Sequence, residues 1–231
     1  MARFFRILRS ASILIVAGAL VSLGTPRLFA ALVTLPSRPI LNSIQANKDV
    51  DKESLEILIK SQERGLSWNE SARSWTDLGL AQFLLANKDE NENSRTEFLE
   101  KAEESLVKGL ILSPSNAFAW TRLAYVDIAK NGPSPTVSQK LRLAVSGAPY
   151  DRRLVFTRLR MSFLAWPLFE DTDRPMILDQ TRFAWKINPK KLVVLGAELG
   201  RTGIIRAALF TNANDMGKLE ILLKKVNDKK N

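Results

Sequence analysis

The chain has 231 residues, of which 45% are hydrophobic and 25% charged, as is typical of a globular protein with a packed core. It has no cysteine and no histidine, which excludes disulfides, thiolate nucleophiles, cysteine-type zinc sites and catalytic triads that need an imidazole. The net charge of +10 lies in residues 115–231, with 20 basic and 10 acidic groups, but these cations are scattered among acids and do not indicate nucleic-acid binding.

The amino terminus has the pattern of a membrane segment. Arg3, Arg6 and Arg9 precede 17 uncharged, mostly aliphatic residues, Ser10–Pro26. As a helix this run reaches about 26 Å, close to the thickness of a bilayer's hydrocarbon core. Because positive charge is retained on the cytoplasmic side, the arginines predict a cytoplasmic amino terminus and an external remainder. We therefore expect a single-pass anchor over residues 1–35, in a bacterial inner membrane with the rest in the periplasm.

A secretory signal peptide is the alternative interpretation of this segment. Cleavage would follow Ala30, but Leu28 is not small and Arg27 separates the apolar run from the cut. In both interpretations the following residues lie outside the cytoplasm. Pro36, Pro39 and their polar neighbours then predict a tether over residues 36–50.

From residue 51 onward, apolar residues recur at helical spacing and few runs alternate with period two, which predicts an all-α fold. The first helix is predicted over Asp51–Arg64, with Gly65 as its stop. Two further helices, Ser71–Ala86 and Arg95–Leu112, are predicted on either side of a polar loop, Asn87–Ser94.

Three prolines mark a repeat in the helical body. A small residue stands five positions before each of them, as expected where two helices cross closely and the proline then forces a turn. The pairs are Gly109 with Pro114, Ala144 with Pro149, and Ala184 with Pro189.

Two tryptophan-centred segments carry a family resemblance. Trp75, Leu78 and Gly79 reproduce the W-x2-L-G pattern of the first helix of a tetratricopeptide repeat, and the segment that begins at Trp120 is a looser copy. Pro114 and Pro149 are 35 residues apart, against a family period of about 34. The chain therefore resembles the tetratricopeptide repeat family, with the 45 residues between the two tryptophans explained by an inserted loop.

The resemblance covers residues 68–190 and weakens along the chain. The best repeats span 71–149, and a degenerate unit spans 150–190, where Val155 and Arg158 replace the expected tryptophan and leucine. Residues 191–231 are predicted to form capping helices with a polar outer face. The expected architecture of 51–231 is thus a solenoid of helical hairpins behind a membrane helix.

The resemblance implies that the first helix of each hairpin lines a groove that binds a protein partner. Arginine and aromatic side chains suit such a contact, although solvated arginines and buried aromatics would give the same pattern. The groove positions are Arg73, Thr76, Phe83, Phe118, Arg122, Tyr125, Arg153, Phe156 and Arg160.

The function expected from these features is a non-enzymatic scaffold or adaptor of a cell-envelope assembly, with no cofactor and no metal. The segments Arg153–Leu164 and Gln180–Trp185 are similar to small anchored repeat proteins encoded with bacterial exopolysaccharide or secretion machinery, which implies a role in polysaccharide biosynthesis or secretion.

Two other functions compete with the adaptor. The first is a glycan-acting enzyme that uses carboxylates, Glu170 with Asp173 or Asp179, since such chemistry needs no histidine. The second is a binder of polyanions or anionic lipids through Arg152–Arg160 and the lysines of the tail.

Overall fold

A computed structural model describes residues 2–46 and 48–228, and the side chains of 13–46, 48–226 and 228. Within these ranges the chain forms α-helices and one short 3-10 helix and has no β-strand, which confirms the predicted all-α class. The lysines of the extreme tail, Lys229 and Lys230, lie outside the described residues. The chain divides into two compact units, unit 1 (Met1–Leu112) and unit 2 (Ser113–Asn231), whereas the sequence suggested one body over 51–231.

The helices of each unit follow one another with short breaks. In the described residues, unit 1 contains α1 (Ala2–Val33), α2 (Ser37–Gln45), α3 (Lys52–Trp68), α4 (Ala72–Lys88) and α5 (Glu92–Leu112). Described residues of unit 2 form α6 (Ala117–Asn131), α7 (Pro135–Gly147), α8 (Val155–Leu164), the 3-10 helix Trp166–Leu168, α9 (Arg174–Ile187), α10 (Pro189–Glu198), α11 (Thr202–Leu209) and α12 (Ala213–Asn227).

Helix α1 contains the candidate membrane span. Its segment Ile13–Val33, 21 residues long, is long and apolar enough to cross a bilayer, and none of it is buried inside the protein. Pro26 lies within this helix. The span therefore extends beyond the uncharged run Ser10–Pro26 and includes Arg27, which can reach the headgroups along its aliphatic stem.

The stretch predicted as a tether, 36–50, contains helix α2 and differs from that expectation. Pro39 stands in the first turn of α2, where a proline is tolerated because the missing N–H has no intrahelical partner. Leu41 is buried in a cluster with Leu58 of α3 and Ala81 of α4. The segment is therefore part of the packed body of unit 1.

Two predicted breaks in unit 1 are corrected by the structure. Gly65 lies inside α3, where a Cβ would come 2.5 Å from Cγ2 of Thr34, so its lack of a side chain lets α1 and α3 approach. The loop expected at Asn87–Ser94 is only the three residues between α4 and α5. The extra length between the two tryptophans lies instead in the helices, since α5 has 21 residues.

Helices α4 and α5 cross at two glycines, of which the small-residue spacing predicted Gly109. A Cβ on Gly79 of α4 would lie 2.7 Å from Cγ of Leu106. A Cβ on Gly109 of α5 would lie 2.9 Å from Oγ1 of Thr76. Each glycine leaves room for a bulkier side chain of the other helix, so the two antiparallel backbones lie close together.

The tryptophan-to-proline period has a physical basis at the start of unit 2. The indole N–H of Trp120 donates to the carbonyl oxygen of Pro114 at 2.7 Å. Asn116 caps α6, its side chain accepting from the backbone N–H groups of Phe118 and Ala119. The hydrogen bond from Trp120 therefore fixes the turn before α6 to the first turns of that helix.

Unit 2 is built from successive helix pairs. Helix α6 packs on α7, α8 on α9, and α10 on α11. The first helices of these pairs also contact one another in order, α6 with α8 and α8 with α10. They share one hydrophobic core, which includes Leu141, Val155, Leu159, Phe163, Ile177, Ala184, Leu192 and Ile205.

Candidate functional site

The first helix of each pair in unit 2, that is α6, α8 and α10, contributes to a surface cleft of about 410 Å³. Helix α6 contributes Tyr125, and α8 contributes Phe156 and Arg160. These are three of the nine positions proposed for the groove, and the structure brings them together. The described residues that line the cleft are Tyr125, Phe156, Thr157, Arg160, Lys191, Val194, Leu195 and Glu198.

Charged groups of α10 meet the aromatic wall of the cleft. The ammonium of Lys191 lies 4.6 Å from the centroid of the Phe156 ring, a cation–π distance. Arg160 donates to Glu198 across the cleft, with Nη2 and Oε2 3.1 Å apart. The cleft thus combines apolar side chains with the Arg160–Glu198 ion pair and with the exposed Lys191 cation over a ring.

The other proposed positions in unit 2 lie outside this lining. Phe118 is covered by the guanidinium of Arg153, whose carbon is 4.6 Å from the ring centroid. Arg153 also forms a two-pronged hydrogen bond to Asp151. Arg122 is half-buried on α6.

The proposed positions in unit 1 are divided between core and surface. Thr76 and Phe83 are buried, and the hydroxyl of Thr76 donates to the carbonyl oxygen of Ala72 at 2.7 Å. Both side chains are therefore buried and present almost no exposed surface. The exposed Arg73 approaches Asp77, one turn further along α4, with Nε and Oδ2 3.8 Å apart.

A buried arginine holds α8 against its neighbours. Arg158, only 1% exposed, donates to Oγ1 of Thr121 at 3.2 Å and to the carbonyl oxygens of Ala144 and Ala148 at 2.7 and 2.8 Å. The two carbonyls lie at the carboxyl end of α7, where backbone acceptors have no intrahelical partner. Burial lowers the pKa of Arg158 to about 10, although the negative charge of Asp151 acts in the opposite direction and raises it. The guanidinium is therefore charged at neutral pH. The arginine found where the repeat pattern expects leucine therefore joins α6, α7 and α8.

A second polar cluster joins α6 to α7. The buried carboxylate of Asp127 accepts from Nζ of Lys140 at 2.6 Å, from the hydroxyl of Thr136 at 2.6 Å and from Nδ2 of Asn131 at 2.9 Å. Burial alone raises the pKa of Asp127, but these hydrogen bonds and the charge of Lys140 outweigh it and hold the pKa below its ordinary value of 3.8. The cluster fixes the helix that carries Tyr125.

Asp127→Asn is expected to reduce the free energy of unfolding of unit 2 by about 1–3 kcal/mol at neutral pH. A carboxylate whose folded-state pKa is lowered stabilises the fold above its unfolded pKa, and that stability is lost as pH falls through the folded value. The wild-type protein should therefore lose this contribution below about pH 4, and the variant should not. Chemical denaturation of both proteins across the acid range measures the difference, and parallel curves at all pH values would contradict it.

Apart from Thr157 of α8, the residues of the cleft that the sequence did not single out lie on α10. The prediction treated residues 191–231 as capping helices, with the polar outer face supplied by Lys218, Glu220, Lys224 and Lys225. It therefore gave no binding role to Lys191, Val194 or Glu198. Their spacing of three and four residues places them on one face of a helix, which is the signal that could have identified them.

The acidic residues proposed for a glycan-acting enzyme are engaged with basic or hydroxyl groups. Asp173 is buried and accepts from Nη2 of Arg142 at 2.7 Å, and Asp179 pairs with Arg182 on α9. Glu170 accepts from the hydroxyl of Thr172. Among the described residues, no group of three or more acids is placed to hold a metal ion.

Comparisons of the chain with protein-family models, with curated proteins and with solved structures find no match.

Proposed function

We propose that the chain is a membrane-anchored adaptor of the tetratricopeptide type that binds a segment of a protein partner in the cleft of unit 2. The observation that carries the proposal is the meeting of Tyr125, Phe156 and Arg160 in one cleft. The pattern of helix pairs in unit 2 supports the repeat architecture, because its first helices follow one another along a common surface.

The chemistry of the cleft indicates what kind of segment it accepts. Tyr125, Phe156 and Val194 offer apolar surface, and Lys191 offers a cation that is already positioned over a ring. Unit 2 carries 20 basic and 10 acidic residues, so its overall field favours an acidic partner. A segment with an apolar side chain and a nearby carboxylate fits these groups.

The proposed location is a bacterial inner membrane, with the helical units in the periplasm. Support comes from the candidate span Ile13–Val33 and from the arginines that precede it. Cleavage of a signal peptide would give the alternative of a soluble periplasmic protein. The resemblance stated above makes polysaccharide biosynthesis or secretion the process in which we place the adaptor.

Crosslinking from inside the cleft tests the proposed function. A photoreactive amino acid in place of Val194, which is 41% exposed, should give one discrete ultraviolet-dependent adduct in cells. The matched position is Leu143 on α7, which is 44% exposed and outside the cleft lining, and it should not give that adduct. The same adduct from both positions, or none from Val194, would contradict the proposal.

Charge reversal in the cleft should weaken partner binding. Lys191→Glu places a carboxylate over the Phe156 ring and reverses the attraction to an acidic segment, so the adduct from position 194 should fall by about tenfold. Lys190→Glu is the matched control, because Lys190 is an exposed neighbour that does not line the cleft. Equal losses in the two variants would indicate a diffuse charge effect and would count against the cleft.

A further inference from the structure

The end of unit 1 next to the candidate membrane span holds an aromatic pair. Phe29 lies within the span Ile13–Val33, about 24 Å along the helix from its first residue. Its ring stacks on the ring of Trp68, the last residue of α3, with centroids 4.8 Å apart and planes at 21°. Whenever α1 crosses a bilayer, Trp68 must therefore lie at the depth of the end of the span.

Close packing fixes the direction of α3 relative to α1. Thr34 occupies the space beside Gly65, and Gln62 donates from Nε2 to the hydroxyl of Ser37 at 3.0 Å in a buried hydrogen bond. Leu58 then packs on Leu41 of α2. These contacts follow the chain forward from Thr34 to Leu41, while their partners on α3 run backward from Gly65 to Leu58. The two segments are therefore antiparallel, and the Trp68 end of α3 lies beside the span.

Exposed apolar side chains lie in the last turns of the span, in the turn that follows it and at Trp68. We call it the membrane-proximal patch, and its four side chains are each 44–59% exposed. The patch consists of Leu28, Leu32, Leu35 and Trp68. In water such a cluster is unfavourable, whereas tryptophan and leucine beside a membrane span are favoured in the interfacial layer.

Three arginines stand within four residues of a patch member in the sequence. Arg27, Arg38 and Arg64 are all exposed. At the boundary of a bilayer, guanidinium groups can bind lipid phosphates while their stems remain on apolar surface. Exposed apolar side chains with such cations close to them in the sequence match the profile of the headgroup and upper acyl-chain region.

We propose that the membrane-proximal patch inserts into the interfacial layer of the leaflet at which α1 leaves the bilayer, so that unit 1 docks on the membrane. This inference rests on the proposed membrane span. It adds that the folded part begins at the membrane surface, with α3 standing on the bilayer at its carboxyl end.

Single cysteines test the docking, because the natural chain has none. Leu35→Cys and Ser67→Cys place a probe at the patch, and Lys52→Cys places one at the opposite end of α3, about 22 Å away. Each full-length variant is labelled with an environment-sensitive fluorophore and reconstituted into vesicles of phosphatidylcholine and phosphatidylglycerol. Circular dichroism before and after reconstitution selects the variants that keep the helical content of the wild type.

The expected result is a blue-shifted emission at positions 35 and 67, with several-fold stronger quenching by lipid that is spin-labelled near the headgroup than at position 52. Leu23→Cys, in the middle of the span Ile13–Val33, separates the two hypotheses. If position 23 is quenched by lipid labelled deep in the acyl chain while positions 35 and 67 behave like position 52, the span stands and the docking is overturned. If position 23 is not quenched, the span fails and the docking fails with it.

Discussion

Arg158→Ala is expected to lower the free energy of unfolding of unit 2 by about 3–5 kcal/mol. The substitution removes a fully buried side chain and three hydrogen bonds from a charged donor. It leaves the carbonyl oxygens of Ala144 and Ala148 without their donor at the end of α7, and an unsatisfied buried acceptor is costly. Helix α8, which carries Phe156 and Arg160, should lose its alignment with α6.

Two further variants separate the contributions of packing and polarity. Arg158→Leu introduces the residue that the repeat pattern expects and keeps much of the buried volume, so its loss should be smaller, about 1–3 kcal/mol. Arg152→Ala is the matched control, since Arg152 is exposed on the same segment, and it should change stability by less than about 0.5 kcal/mol.

Hydrogen–deuterium exchange measured by mass spectrometry on the full-length chain gives the readout for these variants. Protection in α6–α8 should fall for Arg158→Ala, fall less for Arg158→Leu and be unchanged for Arg152→Ala. If the Arg158→Leu variant is as protected from exchange as the wild type, the three hydrogen bonds add nothing to the stability of α6–α8 beyond the packing of the side chain.

Much of the fold follows from local pattern in the sequence. Helical periodicity predicted the all-α class, and the run of uncharged residues after Arg9 predicted the apolar amino-terminal helix. The small residues before the prolines were also informative, because the close crossing of α4 and α5 leaves no room for a side chain at Gly109, and Ala144 is fully buried. These features depend on neighbours in the chain or on steric limits that a single position can reveal.

The features that escaped prediction depend on contacts between distant parts of the chain. The segment around Pro39 is polar enough to resemble a tether, and only its packing through Leu41 on α3 shows that it is folded. Lys191 and Val194 join the cleft because α10 packs on α8, which the degenerate repeat did not reveal. Arg158 was visible as a departure from the pattern, but its three acceptors lie on two other helices.

Gly79→Val should destabilise unit 1 by about 3 kcal/mol. A Cβ at this position would lie 2.7 Å from Cγ of Leu106 and 3.0 Å from the carbonyl oxygen of Ala102. Neither atom can move aside easily, because one is the branch point of a fully buried side chain and the other belongs to the backbone of α5. The two branches of valine would force α4 and α5 apart, which opens the core of unit 1 to water.

Paired alanine substitutions separate this crowding from the ordinary preference of helices for alanine. Gly217→Ala lies in α12, where a Cβ meets nothing within 4 Å, so it should stabilise unit 2 by about 0.5–1 kcal/mol. Gly79→Ala carries the same gain in propensity, yet the contacts with Leu106 and Ala102 should outweigh it and make the net change destabilising. Denaturant unfolding with exchange readouts in α4–α5 and α12 measures both signs. If Gly79→Ala stabilised unit 1, α5 would have room to move away from α4, and the close crossing that Gly79 and Gly109 define would not limit the stability of the unit.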